Sequence, residues 1–114
     1  MGNNGSQHSF KDISEFRNEY PHCQYLIDQQ QSINYLDPDS HRVIKVIPKN
    51  ALTPQRSQAI QRELFVMRKL ADHENILKLY DAYASQKNIF LVMEQPVIDK
   101  SNSKKTSYDF VDQN

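Results

Sequence analysis

Glycine is nearly absent from this chain of 114 residues, because Gly2 and Gly5 are its only two glycines. This excludes a P-loop and a GxGxxG dinucleotide fingerprint, since both need glycine where the backbone approaches phosphate. Turns and helix ends must instead rely on Asn, Asp, Ser and Pro.

Cysteine and long apolar runs are also scarce. Cys23 is the one cysteine, so no disulfide can form within the chain. No run approaches roughly 18 apolar residues, and the N-terminus lacks the apolar region of a secretory signal. We therefore expect an intracellular, cytoplasmic protein. Its mean hydropathy of −0.77 and 38% hydrophobic residues predict a modest core.

The charges balance over the whole chain but not along it. Residues 1–40 carry two basic and six acidic side chains, whereas residues 41–94 carry nine basic and five acidic ones. The basic excess contains no basic run and is interleaved with apolar residues, unlike a nucleic-acid footprint. We expect no nucleic-acid partner.

Composition divides the chain into three zones. Residues 1–22 are polar and predict a flexible N-terminal arm. Residues 23–96 contain nearly all of the periodic apolar patterns and predict a folded domain. Residues 97–114 return to loop-like composition and predict a C-terminal tail.

The middle zone predicts four strands and one helix. Segments 32–36 and 41–47 predict a hairpin around an Asp-Pro-Asp-Ser turn, and segments 77–83 and 88–94 predict two further strands. Thr53-Pro54 is typical of a helix start, and the helix is predicted over residues 54–70. The fold class is therefore α+β, an antiparallel sheet of about four to five strands with one main helix.

Two charged residues interrupt apolar patterns on neighbouring elements. Lys45 lies among apolar residues of the second strand, and Glu63 lies in the apolar stripe of the helix. A carboxylate directed toward a core is costly unless a cation meets it, which favours an ion pair between the two. The alternative is that Lys45 reaches solvent from an edge strand and Glu63 lies at the flank of the helix.

Four sequence segments from residue 33 to residue 94 form a recognisable series. VIK at 43–45 is followed by the helix with Glu63, then HENIL at 73–77 and LVME at 91–94. In this order they resemble the N-terminal lobe of eukaryotic protein kinases. The residues of these segments are most similar to those of the calcium/calmodulin-dependent and calcium-dependent Ser/Thr kinases. The resemblance implies a protein-kinase small-lobe fold.

The resemblance also implies an ATP site. Lys45 would pair with the nucleotide phosphates, with Glu63 as its partner carboxylate. Ile33 and Val43 would roof the adenine. Met93 would be the gatekeeper, followed by a hinge that includes Glu94 and Gln95.

The chain departs from the kinase pattern at several positions. The segment before Ile33, where the family has its glycine-rich loop, contains no glycine and includes Asp28. No HRD, DFG or magnesium-binding Asn follows the hinge, and DFV at 109–111 has the wrong third residue and spacing. We therefore expect this chain alone to be inactive in phosphoryl transfer, with weak ATP binding at most and no assignable magnesium site.

Three interpretations remain open. The chain is a kinase-like fragment with residual ATP binding, or a non-catalytic, pseudokinase-like interaction module that binds a protein partner through its hinge-side surface, or part of an incomplete gene model. The nucleotide-site residues favour the first interpretation, and the missing glycines favour the second.

The N-terminal residues match a lipidation pattern. Met1 to Ser6 fit the M-G-x-x-x-[ST] motif, which makes Gly2 a candidate for myristoylation. One such chain gives only marginal binding, so we expect reversible membrane contact at most. The histidines and Cys23 show no metal-ligand spacing, and no metal site is predicted.

Overall fold

The computed structural model describes residues 10–96 as one sheet with helical segments on both of its faces. The strands are β1 (Lys11–Asp12), β2 (Ile33–Leu36), β3 (Arg42–Pro48), β4 (Leu79–Ala84) and β5 (Asn88–Glu94). The α-helices are α1 (Ile13–Glu19) and α2 (Pro54–Lys69), and two 3₁₀ helices span Pro21–Asp28 and Lys49–Ala51.

The five strands form a mixed sheet in the order β1-β4-β5-β3-β2. The pairs β2–β3, β3–β5 and β4–β5 are antiparallel, and the two-residue β1 pairs with β4 in parallel. The predicted α+β class, with a mostly antiparallel sheet and one long helix, is confirmed.

Asp37 organises the turn between β2 and β3. Its carboxylate accepts hydrogen bonds from the amides of Asp39 and Ser40 and, at 2.7 Å, from the Ser40 hydroxyl. His41 then adopts a φ of 60°, a left-handed conformation that histidine tolerates better than β-branched residues. The sequence therefore closes this hairpin without glycine.

The long helix α2 covers one face of the sheet. Thr53 caps it by accepting from the Arg56 amide, with Pro54 in its first turn, as predicted. Its buried stripe joins a cluster that we call the α2-side core: Ile47, Ile60, Leu64, Met67, Leu77, Leu79, Ala82, Ile89, Leu91 and Met93.

The opposite face is covered by the segment that precedes β2. Phe16 and Tyr20 from α1 and its C-terminal end, with Cys23, Leu26 and Ile27 from the 3₁₀ helix, pack against buried residues of β3, β4 and β5. The predicted flexible arm at 1–22 is therefore wrong for residues 10–22, where apolar side chains three to four residues apart form a helical stripe. Residues 1–9 and the predicted tail lie outside the described residues, and the domain boundary at 96 stays a prediction.

Candidate nucleotide-binding site

Lys45 lies in the middle of β3 on the face that α2 covers. Side chains alternate along a strand, so Lys45 shares its face with Ile47 of the α2-side core, while Ile44 and Val46 face the other layer. Lys45 retains only 5% of its exposure. The prediction that this lysine lies in an apolar environment is confirmed, and it does not reach solvent from an edge strand, because β3 is flanked by β2 and β5.

Glu63 enters the same layer from α2. It is fully buried, and its helix neighbours Ile60, Leu64 and Met67 belong to the α2-side core. A buried carboxylate and a buried ammonium in one apolar layer reduce each other's desolvation cost when they lie close together. The structure therefore places both predicted partners between helix and sheet, which is the arrangement that an ion pair requires.

Val43 and Met93 provide an apolar surface beside Lys45. They lie directly opposite each other in the β3–β5 register, and Met93 is also opposite Leu79 in the β4–β5 register. Because cross-strand partners share a face, these side chains lie on the α2 side of the sheet. Leu79 and Met67 pack in the α2-side core.

Glu94 anchors the chain where it leaves β5. Its Oε1 accepts a hydrogen bond from the Lys78 amide at 3.0 Å, and its own amide donates to the Lys78 carbonyl at 2.8 Å. Gln95 follows as an exposed residue without secondary structure. The predicted hinge therefore begins at a residue that is hydrogen-bonded to Lys78, immediately before β4.

Ile33 does not join this surface. It pairs with Val46 in the β2–β3 register and packs against the layer formed by α1 and the first 3₁₀ helix. The prediction that Ile33 and Val43 together roof an adenine therefore disagrees with the structure. The β2 residues on the face of the predicted site are Asn34 and Leu36, which pair with Lys45 and Val43. Counting the alternation of side chains along β2 from this pairing places Ile33 on the other face, and this is the signal in the sequence that could have found it.

The segment before β2 also folds away from Lys45. Leu26 and Ile27 are buried against the opposite face, and the Asn88 side-chain amide donates to the carbonyls of Ile27 and Gln29, both at 2.9 Å. The backbone that should cover phosphates is therefore fixed elsewhere. Val43, Met93 and Lys45 are the described residues that would hold ATP on this face of the sheet, and the segment before β2 contributes no cover to that face.

The surroundings of Cys23 do not activate its thiol as a nucleophile. Burial, reinforced by the nearby Asp37 carboxylate, raises the pKa of its thiol to about 11, so the thiol stays neutral near pH 7. Within residues 10–96 no group of three metal-binding side chains is found.

Gly2, the lipidation candidate, lies outside the described residues. Among residues 10–96, every helix is too short or too polar to cross a membrane.

Comparison with known proteins agrees with this geometry. The model of the protein kinase domain family matches residues 34–111. The chain is 32% identical to CDPK-related kinase 7 of Arabidopsis thaliana over an alignment of 74 residues that covers 60% of this chain and 13% of that kinase. It is 38% identical over 52 residues to calcium/calmodulin-dependent serine/threonine-protein kinase 1 of Oryza sativa subsp. japonica, covering 45% of this chain and 9% of the rice protein. A CDPK-related protein kinase of Daucus carota is 36% identical over 52 residues, again 45% and 9% of the two chains.

A family match over more than half of the chain, together with the sheet and the long α2, defines the class: the chain belongs to the protein kinase domain family. Its described part is kinase small-lobe-like. The chain spans only about a tenth of the length of these relatives.

Proposed function

We propose that this chain serves as a Ser/Thr-kinase-type small lobe that binds ATP weakly, with Lys45 holding the nucleotide phosphates and Glu63 positioning Lys45. Val43 and Met93 contact the adenine, and the backbone at Glu94 and Gln95 lies at its edge. Phosphoryl transfer needs a base and magnesium ligands, for which the described residues offer no candidates.

One observation carries this proposal. Lys45 and Glu63 are both nearly inaccessible to water, and they come from a strand and a helix that face the same layer. An isolated buried charge on either element would be strongly destabilising. The presence of both charges in one layer therefore supports a role for Glu63 in holding the Lys45 ammonium in a defined position.

Isothermal calorimetry with Mg·ATP tests the proposal on the full chain. Wild type should bind with a millimolar-range Kd, and Lys45→Met should weaken binding at least about tenfold, because an ammonium-phosphate contact is lost. Lys87→Met, which changes an exposed lysine of the β4–β5 turn, is the matched control and should bind as wild type. If Lys45→Met does not fold, Lys45→Arg keeps the charge but changes its shape and should weaken binding several-fold. Equal affinity in a folded Lys45 variant would contradict the proposal.

A non-catalytic, pseudokinase-like interaction module is the second candidate function. It is supported by the 3₁₀ helix Pro21–Asp28, which is packed against the sheet face opposite Lys45 and leaves phosphates uncovered. Leu36, 45% exposed at the end of β2 beside Val43, would then contact a protein partner on the hinge-side surface. A cooperative thermal transition that does not respond to ATP would favour this candidate.

Gly2 carries a separate proposal of acylation with reversible membrane contact. Mass spectrometry after co-expression with an N-myristoyltransferase, compared with Gly2→Ala, tests it directly. An unmodified wild-type chain would contradict it.

A further inference from the structure

β2 is the last strand of the sheet and has an unpaired outer side within residues 10–96. The strand order ends in β5-β3-β2, and β2 pairs with β3 from Ile33 to Leu36 in a continuous register. Among residues 10–96, no strand lies on the other side of β2. The backbone groups on that side can therefore form hydrogen bonds with a further strand. We call this outer edge of residues 32–36 the open edge.

The turn after β2 shows which backbone groups point outward at the open edge. The Asp37 amide donates to the Arg42 carbonyl at 2.9 Å, so Asp37 directs its backbone groups toward β3. These directions alternate from residue to residue along an antiparallel strand. The backbone groups of Asn34 and Leu36 therefore point away from β3 and take no part in the β2–β3 ladder.

The open edge lacks the features that protect most edge strands from pairing. Residues 29–36 contain no charged residue and no proline, and the β2–β3 register contains no bulge. The strand at the other end of the sheet differs, because β1 has only two residues, Lys11 and Asp12, and both are charged and exposed. Charged residues, prolines, bulges and very short strands are the usual means of preventing edge-to-edge contact. The open edge is therefore the end of this sheet that favours pairing.

Apolar side chains surround the open edge on both faces of the sheet. Tyr25 and Leu36 are 53% and 45% exposed, and they are two of the three large hydrophobic residues that are exposed within residues 10–96. The Tyr25 ring lies edge-to-face against the Tyr35 ring at 5.7 Å. Ile33 and Tyr35 are only half-buried against the core on the face opposite α2. An exposed apolar area of this kind is typical of an interaction surface.

We propose that the open edge pairs with the open edge of a second copy of this chain, antiparallel and around a two-fold axis at Asn34. Asn34 then lies opposite Asn34 of the second copy, and Ser32 lies opposite Leu36 of the second copy. The backbone groups of all three residues point outward, so each pair exchanges both of its hydrogen bonds. A pairing centred on the next residue would place Pro38 in the ladder, where it has no amide hydrogen to donate.

The side chains and the lack of charge favour a second copy as the partner. In this register Ile33 lies opposite Tyr35 of the second copy, and the symmetry repeats this contact. A β-branched residue opposite an aromatic one is a favourable cross-strand pair, and side chains approach most closely in pairs that are not hydrogen-bonded. Two identical uncharged edges meet without the repulsion that opposes self-pairing of charged strands. The two-fold contact occupies both open edges, so assembly stops at the dimer.

Sedimentation equilibrium on the full chain tests this proposal. Wild type should dimerise reversibly with a Kd of about 100 μM, because a strand of four residues forms a small interface. Asn34→Lys and Asn34→Glu should each weaken dimerisation at least about tenfold, because identical charges then lie opposite each other at the axis. An equal mixture of these two variants should dimerise with a Kd near that of wild type, since opposite charges then meet.

Gln58→Lys and Gln58→Glu are matched controls, because Gln58 is exposed on α2. Both should dimerise as wild type, and circular dichroism establishes that each variant folds. If a charged variant at position 34 does not fold, Asn34→Pro provides the same test. The Asn34 amide makes no hydrogen bond to β3, so proline preserves the β2–β3 ladder but removes the central donor of the interface.

Several outcomes would overturn the proposal. A wild-type chain that is monomeric at about 1 mM would assign the open edge to a strand of another protein or to another segment of this chain. A dimer that is unaffected in every folded variant at position 34, or a mixture of the two charged variants that stays monomeric, would contradict pairing at Asn34. A dimer that the Gln58 variants weaken would place the contact on α2, and oligomers larger than a dimer would contradict a closed two-fold pair.

Discussion

At the scale of single residues, Lys45 and Glu63 are the strongest link between sequence and site. Both were predicted from interrupted apolar patterns, and both are buried in the layer between α2 and the sheet. Their role in nucleotide binding stays a prediction, but their placement already has consequences for stability.

Removing either charge should destabilise the fold. Lys45→Met and Glu63→Gln should each lower the free energy of unfolding by roughly 3 kcal/mol, because the remaining charge is left in an apolar layer. The double variant should cost at least about 1 kcal/mol less than the sum of the single variants if the two residues pair. Urea unfolding measures all three, with Lys87→Met as an exposed control. Additive effects would contradict direct pairing.

Asp37 gives a prediction about pH. Burial opposes its ionisation, but hydrogen bonds from the Ser40 hydroxyl and from the amides of Asp39 and Ser40 outweigh burial and lower the pKa of this carboxyl. Its stabilising contribution is therefore fully present above the unfolded pKa of about 4 and is lost as the pH falls through the lower folded pKa. Asp37→Asn should make stability less dependent on pH between about pH 5 and pH 2. Urea unfolding at several pH values checks this, and Asp39→Asn, which is exposed, should behave as wild type. The prediction would be contradicted if the free energy of unfolding of Asp37→Asn fell as steeply as that of wild type when the pH is lowered.

Among the secondary-structure elements, the prediction for the long helix was accurate and the prediction for the segment before β2 was not. α2 was predictable because its start signal, its apolar stripe and its buried Glu63 all belong to one continuous segment. Residues 10–22 were assigned to the flexible arm because their apolar residues are sparse in a polar stretch, so average composition hid them. Phe16, Tyr20 and Cys23 nevertheless recur at helical spacing and are buried.

Phe16 tests whether this segment belongs to the core. Its ring lies 5.0 Å from that of Phe90 and 5.3 Å from that of Tyr83. Phe16→Ala should lower the free energy of unfolding by about 3–5 kcal/mol, because it leaves a cavity among aromatic rings. Phe65→Ala is the matched control on the exposed face of α2 and should change stability by less than about 0.5 kcal/mol. Similar values for the two variants in thermal unfolding would contradict the packing of α1.

At the scale of the whole molecule, the family match does not coincide with the folding unit. It begins at residue 34, yet half of the core on the face opposite α2 comes from residues 16–27. Removing residues 1–28 should therefore expose one face of β3 and β5, abolish cooperative unfolding and increase binding of a hydrophobic dye. Removing residues 1–9 is the control and should preserve the transition. A cooperative transition in the shorter chain would show that this layer is dispensable.

The α+β class, the limits of α2 to within a residue and the hairpin could be predicted from the amino-acid sequence, whereas the burial of Lys45 and Glu63 was one of two alternatives that the sequence left open. The predictable features follow from local signals, namely caps, turn residues and periodicity, which act over a few neighbouring residues. The face that Ile33 occupies became evident only from the three-dimensional fold, because strand register depends on the partner strand and a shift of one residue reverses every side chain. The packing of the segment before β2 on the second face of the sheet became evident in the same way, since that burial rests on contacts with strands far away in the chain.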